Sequence, residues 1–190
     1  VSRWRPIPVG SFEAMPWRNG GGTTWEIARG RVDGEPDGDW HWRFSLAEIA
    51  ADGPFSVFPH VDRLLTVVAG AGIRLTIDGA EPRRLALGDG IQFRGEAAIG
   101  CALVAGPTRD LNLMVDRRVA RLVPGGDGRR IVAAEDDAIV LYALEEVALR
   151  VEAERRIVMA GNAIIGDGGA EASIEAGRAV WARVERLASP

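Results

Sequence analysis

Leu64-Leu65-Thr66-Val67-Val68, Gly70-Ala71-Gly72, Ile73-Arg74-Leu75-Thr76-Ile77, Asp78-Gly79, Leu85-Ala86-Leu87, Gly88-Asp89-Gly90 and Ile91-Gln92-Phe93 follow one another along the stretch that decides the fold. Short apolar runs are punctuated by glycine, and Ile73–Ile77 alternates apolar with polar residues at the period of a strand. Asp78-Gly79 is a hairpin signal, because both residue types tolerate positive φ. Short strands at even spacing predict a sandwich or small barrel. Outward from this stretch, Thr23–Ala28, Trp42–Ile49 and Leu111–Val115 also read as strands.

Beyond Pro124-Gly125-Gly126-Asp127-Gly128 the composition shifts towards Ala, Glu, Val and Ile. Ala133–Arg156 suits a helix by composition. Alternation of Val147, Leu149, Val151 and Ala153 with Ala148, Arg150 and Glu152 favours strands instead. Val180, Ala182 and Val184 alternate with Trp181, Arg183 and Glu185 in the same way. The expectation is an all-β chain with an N-terminal unit over 1–123 and a smaller unit over 129–190.

At 190 residues the chain can bury one sizeable core or two small β units sharing one. Its net charge of −4 argues against nucleic-acid binding, which needs a surplus of basic side chains. All 23 basic residues are arginine, so an anion site here has guanidinium and backbone N–H groups as its donors. Cys101 is the single cysteine, which rules out an intrachain disulfide and fits a reducing compartment. Ile99 and Leu103 beside it suggest a buried apolar thiol rather than a nucleophile. No basic-then-apolar leader opens the sequence, and no apolar run approaches the roughly 18 residues that span a bilayer. A cytoplasmic location is expected.

The layout from Leu64 to Phe93 is that of a cupin barrel. Metal-binding cupins place two histidines one residue apart, a glutamate four residues on, and a glycine seven beyond it. Counting back from Gly70 puts Arg63 at the glutamate position and Val57 and Pro59 at the histidine positions. None of these ligates a divalent cation, and with only His41 and His60 in the chain a three-histidine site cannot be built. Both histidines read as surface loop residues, and the expected pocket has no metal and no cofactor. With arginine in place of an acidic ligand, the preference inverts from a cation to an anion. A buried arginine must be paired. Its partner is either a ligand or an internal carboxylate, Glu26, Glu48 or Asp110.

Four phrases resemble the HutD/Ves family. They are Met15-Pro16-Trp17-Arg18-Asn19-Gly20-Gly21-Gly22-Thr23-Thr24-Trp25-Glu26-Ile27-Ala28, then Trp42-Arg43-Phe44-Ser45-Leu46-Ala47-Glu48-Ile49, then Asp52 to Pro59 with Asp62-Arg63, and finally Gly106 to Met114. Order and spacing fit over roughly the first 117 residues, and the Pro-Trp-Arg-Asn-Gly-Gly-Gly-Thr-Thr phrase is the most specific part. The resemblance implies a bicupin associated with bacterial histidine utilisation or, in the Ves branch, with cold and stress response. It brings no established reaction. The implied role is to bind a small pathway acid, formylglutamate or urocanate, and so tune the pathway.

Gly20, Gly21 and Gly22 can expose consecutive N–H donors as an anion nest, with Asn19, Thr23, Thr24 and Trp17 around them; the bland alternative is a tight turn. Strand alternation places Arg43, Ser45 and Ala47 on one face of Trp42–Ile49, opposite Trp42, Phe44 and Leu46. Thr24, Glu26 and Ala28 share a face, as do Asn112 and Met114. Polar residues on the inner faces of several strands suggest a pocket, since a purely structural barrel fills them with aliphatics. The expected site is Arg43 and Arg63 holding carboxylates, with Asn112 and Thr24 orienting the ligand. A second reading is a cofactor-free hydrolase, isomerase or lyase on a small organic acid, with Glu26 or Asp110 as general base. A third makes the early tryptophans a partner surface. Exposed strand edges allow a β-mediated homodimer.

Overall fold

Trp42–Ile49 and Ile73–Ile77 form strands over the residues that alternation predicts, and most other runs form strands extended by up to a few residues, whereas of Leu85-Ala86-Leu87 only Leu85 belongs to a strand. The computed structural model describes residues 3–17, 20–32, 39–125, 129–151 and 153–187. In chain order the strands are β1 (Trp4–Ile7), β2 (Glu13–Pro16), β3 (Gly22–Gly30), β4 (Trp42–Ile49), β5 (Gly53–Pro54), β6 (Val61–Ala69), β7 (Ile73–Ile77), β8 (Arg83–Leu85), β9 (Gly90–Arg94) and β10 (Ile99–Leu103). They continue with β11 (Thr108–Asp116), β12 (Ala120–Pro124), β13 (Arg130–Val132), β14 (Ala138–Ala143), β15 (Val147–Val151), β16 (Glu154–Val158), β17 (Ala163–Gly166), β18 (Glu171–Ala176) and β19 (Ala179–Arg186). Among the described residues there is no α-helix, and no helix is long and apolar enough to cross a membrane. Ala133–Arg156 is strand where it is regular, so alternation outweighs helix propensity there.

Two units emerge, each built from two antiparallel sheets. The first holds β2 to β11, in a six-stranded sheet of order β2-β3-β4-β11-β6-β9 and a four-stranded sheet of order β5-β10-β7-β8. The second holds β1 and β12 to β19, in sheets of order β1-β17-β14-β19-β12 and β13-β18-β15-β16. The boundary differs from the expected 1–123 unit at both ends. β1 pairs with β17 from Trp4↔Gly166 to Ile7↔Ala163, and β12 pairs with β19. Trp4, 3% exposed, belongs to the second unit's apolar core. A strand's own sequence shows which face is buried but not which distant strand completes its ladder.

In the first unit the apolar core draws Ile49, Leu65 and Val67 from the six-stranded sheet and Ile73, Leu75 and Ile99 from the four-stranded one. Burying each such side chain contributes about 1.5–3 kcal/mol. Asp78 and Gly79 both take positive φ (49° and 74°), and Ala80 N–H donates to Ile77 O at 2.9 Å, closing the turn between β7 and β8 as expected. Cys101 is buried in this core, and burial first, with Asp110 and Asp52 adding to it, pushes its thiol up to about 12.

Candidate functional site

The six-stranded sheet turns one mixed face towards its own unit. Register aligns Asn112 with Ser45 and Leu65, Asp110 with Ala47 and Val67, and Met114 with Arg43 and Arg63. Directly paired residues share a face, so Arg63, Asp110, Asn112, Arg43 and Ser45 stand on the side that also carries Leu65 and Val67. The apolar part of this face joins the core. The polar part lines a cavity of about 480 Å³, together with Thr24, Trp17, Pro54, Phe55, Ser56 and Phe58. That volume lies within the range of small-ligand pockets.

On β3 the register shifts between Glu26 and Ala28. Thr24 and Glu26 lie opposite Ala47 and Ser45, whereas Ala28 lies opposite Phe44. The bulge thus moves Ala28 off the face where uninterrupted alternation puts it. It also brings Arg29 to the level of Arg43, and both pair with Glu26, at 3.4 Å and 2.7 Å. Arg43 thus lines the cavity with its charge already paired to Glu26.

Arg63 differs. It is 5% exposed, and its guanidinium lies among three rings, 5.0 Å from Phe93, 5.4 Å from Phe55 and 5.5 Å from Phe58. Nη2 donates to Asn112 Oδ1 at 2.8 Å, Nη1 reaches Ser56 O at 3.5 Å, and Nε has no partner. Among the described residues no carboxylate forms an ion pair with it. Glu26 binds Arg43, Glu48 binds Arg109 at 3.0 Å, and Asp110 is reached only through Asn112. Burial lowers Arg63 to about 10, with Asp110 opposing the shift, so it stays charged at neutral pH.

Asp110 completes the chain. Asn112 Nδ2 donates to Asp110 Oδ2, while Asp110 Oδ1 is buried without a partner. Burial is the largest influence on this carboxyl and pushes it up to about 7, against the pull of Arg63 and of the Asn112 hydrogen bond. A group with that affinity changes charge near neutrality.

The glycine loop does other work. Gly20 N–H donates to Trp17 O at 3.0 Å, Trp17 N–H to Gly22 O at 2.9 Å, and Ala50 N–H to Gly21 O at 2.9 Å. The first two bonds close the β2–β3 hairpin, and the third continues the β3–β4 ladder. A Cβ on Gly22 would collide with Glu48 O and crowd the Trp17 ring. The ring is then fixed by Trp17 Nε1 donating to Thr24 Oγ1 at 2.8 Å. Gly20, Gly21, Gly22 and Thr23 do not line the cavity, and Asn19 lies outside the described residues. The loop positions Trp17, and the turn reading replaces the nest.

The two histidines also part company. His60 is exposed in the turn before β6, as expected, but His41 is 3% exposed, a correction to its surface reading. Its backbone is tied on both sides, with His41 N–H donating to Gly30 O and His41 O accepting from Asp116 N–H, both at 2.8 Å. Neither histidine lines the cavity, and the described residues contain no cluster of three metal-ligating side chains. Trp4 and Trp42 are buried and Trp17 faces the cavity, so these three form no exposed surface.

Sequence reasoning missed Phe55, Ser56 and Phe58. The metal-cupin frame directs attention to Val57 and Pro59, which are exposed. The usable signal was the pair of aromatics just before Arg63, since a buried guanidinium without an ion pair gains from ring faces.

Comparison with known proteins agrees with this architecture. A 21.2 kDa protein in the hutC 3′ region of Pseudomonas putida is 37% identical over 144 residues, 75% of each chain. Protein Ves of Citrobacter koseri is 36% identical over 102 residues, covering 53% of this chain and 52% of that one. The structure of HutD from Pseudomonas fluorescens SBW25 matches with a TM-score of 0.82 at 30% identity, over 97% of this chain and 100% of that chain. The HutD family model matches residues 10–182, and with that match and these relatives the chain belongs to the HutD family.

Proposed function

We propose that this protein binds a small carboxylate of histidine catabolism, formylglutamate or urocanate, and tunes the pathway without turning the acid over. In this reading it works in the cytoplasm without a metal. The observation that carries it is Arg63: a buried cation on a cavity wall, held by one amide, one carbonyl and three rings, with no ion pair among the described residues. Proteins seldom bury such a charge unless something compensates it. Trp17, Thr24 and Ser45 supply a flat wall and two hydroxyls around it.

The test is thermal unfolding with histidine, urocanate, formiminoglutamate, formylglutamate and glutamate. A ligand at about a hundred times its dissociation constant adds roughly 2.7 kcal/mol. For a chain of this length that is a rise of about 5–10 °C. One acid is expected to give that rise, and Arg63→Met to abolish it while still unfolding cooperatively. Equal shifts in parent and variant would remove Arg63 from the site.

Asp110 favours a second reading, because a buried carboxyl near neutrality suits a general base. Glu26 no longer competes for that role, since Arg43 and Arg29 hold it as an ion pair. Consumption of the stabilising acid on prolonged incubation, lost in Asp110→Asn, would favour the enzyme.

A further inference from the structure

We propose that the cavity takes up a carboxylate together with one proton, the anion settling at Arg63 and the proton on Asp110, with Asn112 coupling the two. The inference rests on the carboxylate-binding reading above and adds how the site is regulated. The balance is simple: protein, carboxylate and one proton from solvent combine into one complex, and no covalent bond other than O–H forms.

Three features of the geometry support it. Asp110 and Arg63 lie on the same cavity wall, and Asn112 joins them, accepting from Arg63 with its oxygen and donating to Asp110 with its nitrogen. Among the described residues, the one cation that stabilises an Asp110 carboxylate is thus the one an incoming anion would occupy. Two carboxylates sharing one buried cation cannot both stay ionised cheaply, so the internal one accepts a proton. Finally, Asp110 Oδ1 has no partner when ionised. Protonated, that oxygen becomes a donor, as a carboxylate ligand requires.

Among the described residues the surroundings offer no competing group. Across β4 and β3 the residues level with Asp110 are Ala47 and Thr24, and on β6 the level residue is Val67. From the four-stranded sheet Cys101 faces it, a thiol that burial keeps neutral. Asp52 accepts from Leu103 N–H at 2.8 Å, and the Glu26 and Arg43 charges cancel one another.

The probe is formate, the smallest carboxylate, followed by carbon-detected titration of the aspartate carboxyls and by the Arg63 Nε–H resonance. Saturating formate is expected to raise the Asp110 midpoint by at least about one pH unit. Between the free and the formate-bound midpoints the formate dissociation constant should rise with pH, by about tenfold in total for each pH unit of the shift. In Asp110→Asn the dissociation constant should become independent of pH; the titration of the unmodified protein stands without this variant. If formate moves the Arg63 resonance while the Asp110 midpoint stays put, proton coupling is overturned and the binding reading survives. If neither formate nor the pathway acids move the Arg63 resonance, both fall.

Discussion

The two β units solve the same packing problem with opposite interiors. Each is a pair of antiparallel sheets with a central strand flanked on both sides, β11 in one and β14 in the other. The inward residues of β14 are Ile139, Leu141 and Ala143, all fully buried and packed on Leu149, Ile164 and Ile131. The inward residues of β11 are Asp110, Asn112 and Met114. The second unit also points an arginine inward, level with Ile139, but Arg183 is ion-paired to Asp137 at 3.7 Å and to Glu185. Arg63 has no such pair among the described residues. The contrast teaches that the polar residues on β11 are not a requirement of the fold, since the matching strand of its sister is apolar on that face.

The largest expected effect breaks that contrast directly. Leu141→Asn puts at the middle inward position of β14 the residue that β11 carries at Asn112. It creates a cavity and buries an amide without partners, a loss of about 3–5 kcal/mol. Denaturant unfolding at constant m-value measures it. A loss below about 1 kcal/mol would mean the second interior tolerates polar groups as well, and the comparison would carry no weight.

A smaller effect sharpens the electrostatic half. Because Asp110 binds its proton more tightly folded than unfolded, the native state holds the extra proton between its unfolded affinity near 4 and about 7. Stability should therefore fall as pH rises through that window and level off above it. Asp116 and Glu185, held below the usual carboxylate range chiefly by bonds from Arg118 and Arg121, act with the opposite sign but at lower pH. Urea midpoints between about pH 4.5 and 7.5 follow the slope, and Asp110→Asn should flatten it. A slope unchanged by the substitution would place the titrating group elsewhere.

The smallest effect concerns the outer face. Arg109 and Glu48 pair at 3.0 Å but are 49% and 33% exposed. Arg109→Ala should cost no more than about 1 kcal/mol, in contrast to the pairs turned inward. A larger loss would point to the Trp25 ring, 5.6 Å from the guanidinium, as the real contact.

Strand alternation was legible wherever a strand is half-polar. It put Arg43, Ser45 and Ala47 on one face of β4, and Arg63, Thr24 and Asn112 around one cavity, where the structure has them. It failed at β3, where one extra residue reverses the face, and a bulge leaves no mark in the hydrophobic pattern. It was also silent on Phe55 and Phe58, which lie in a segment without period.

By itself the sequence determined the all-β class, the family and the arginine in place of an acidic metal ligand, because these follow from local periodicity and from contiguous motifs. Only the tertiary structure decided that β1 joins the second unit, that Glu26 neutralises Arg43, and that Asn112 stands between Arg63 and Asp110. Each of these depends on which distant strands become neighbours. That choice is fixed by the burial of whole faces at once, and pairing of charges is settled only after the faces have met.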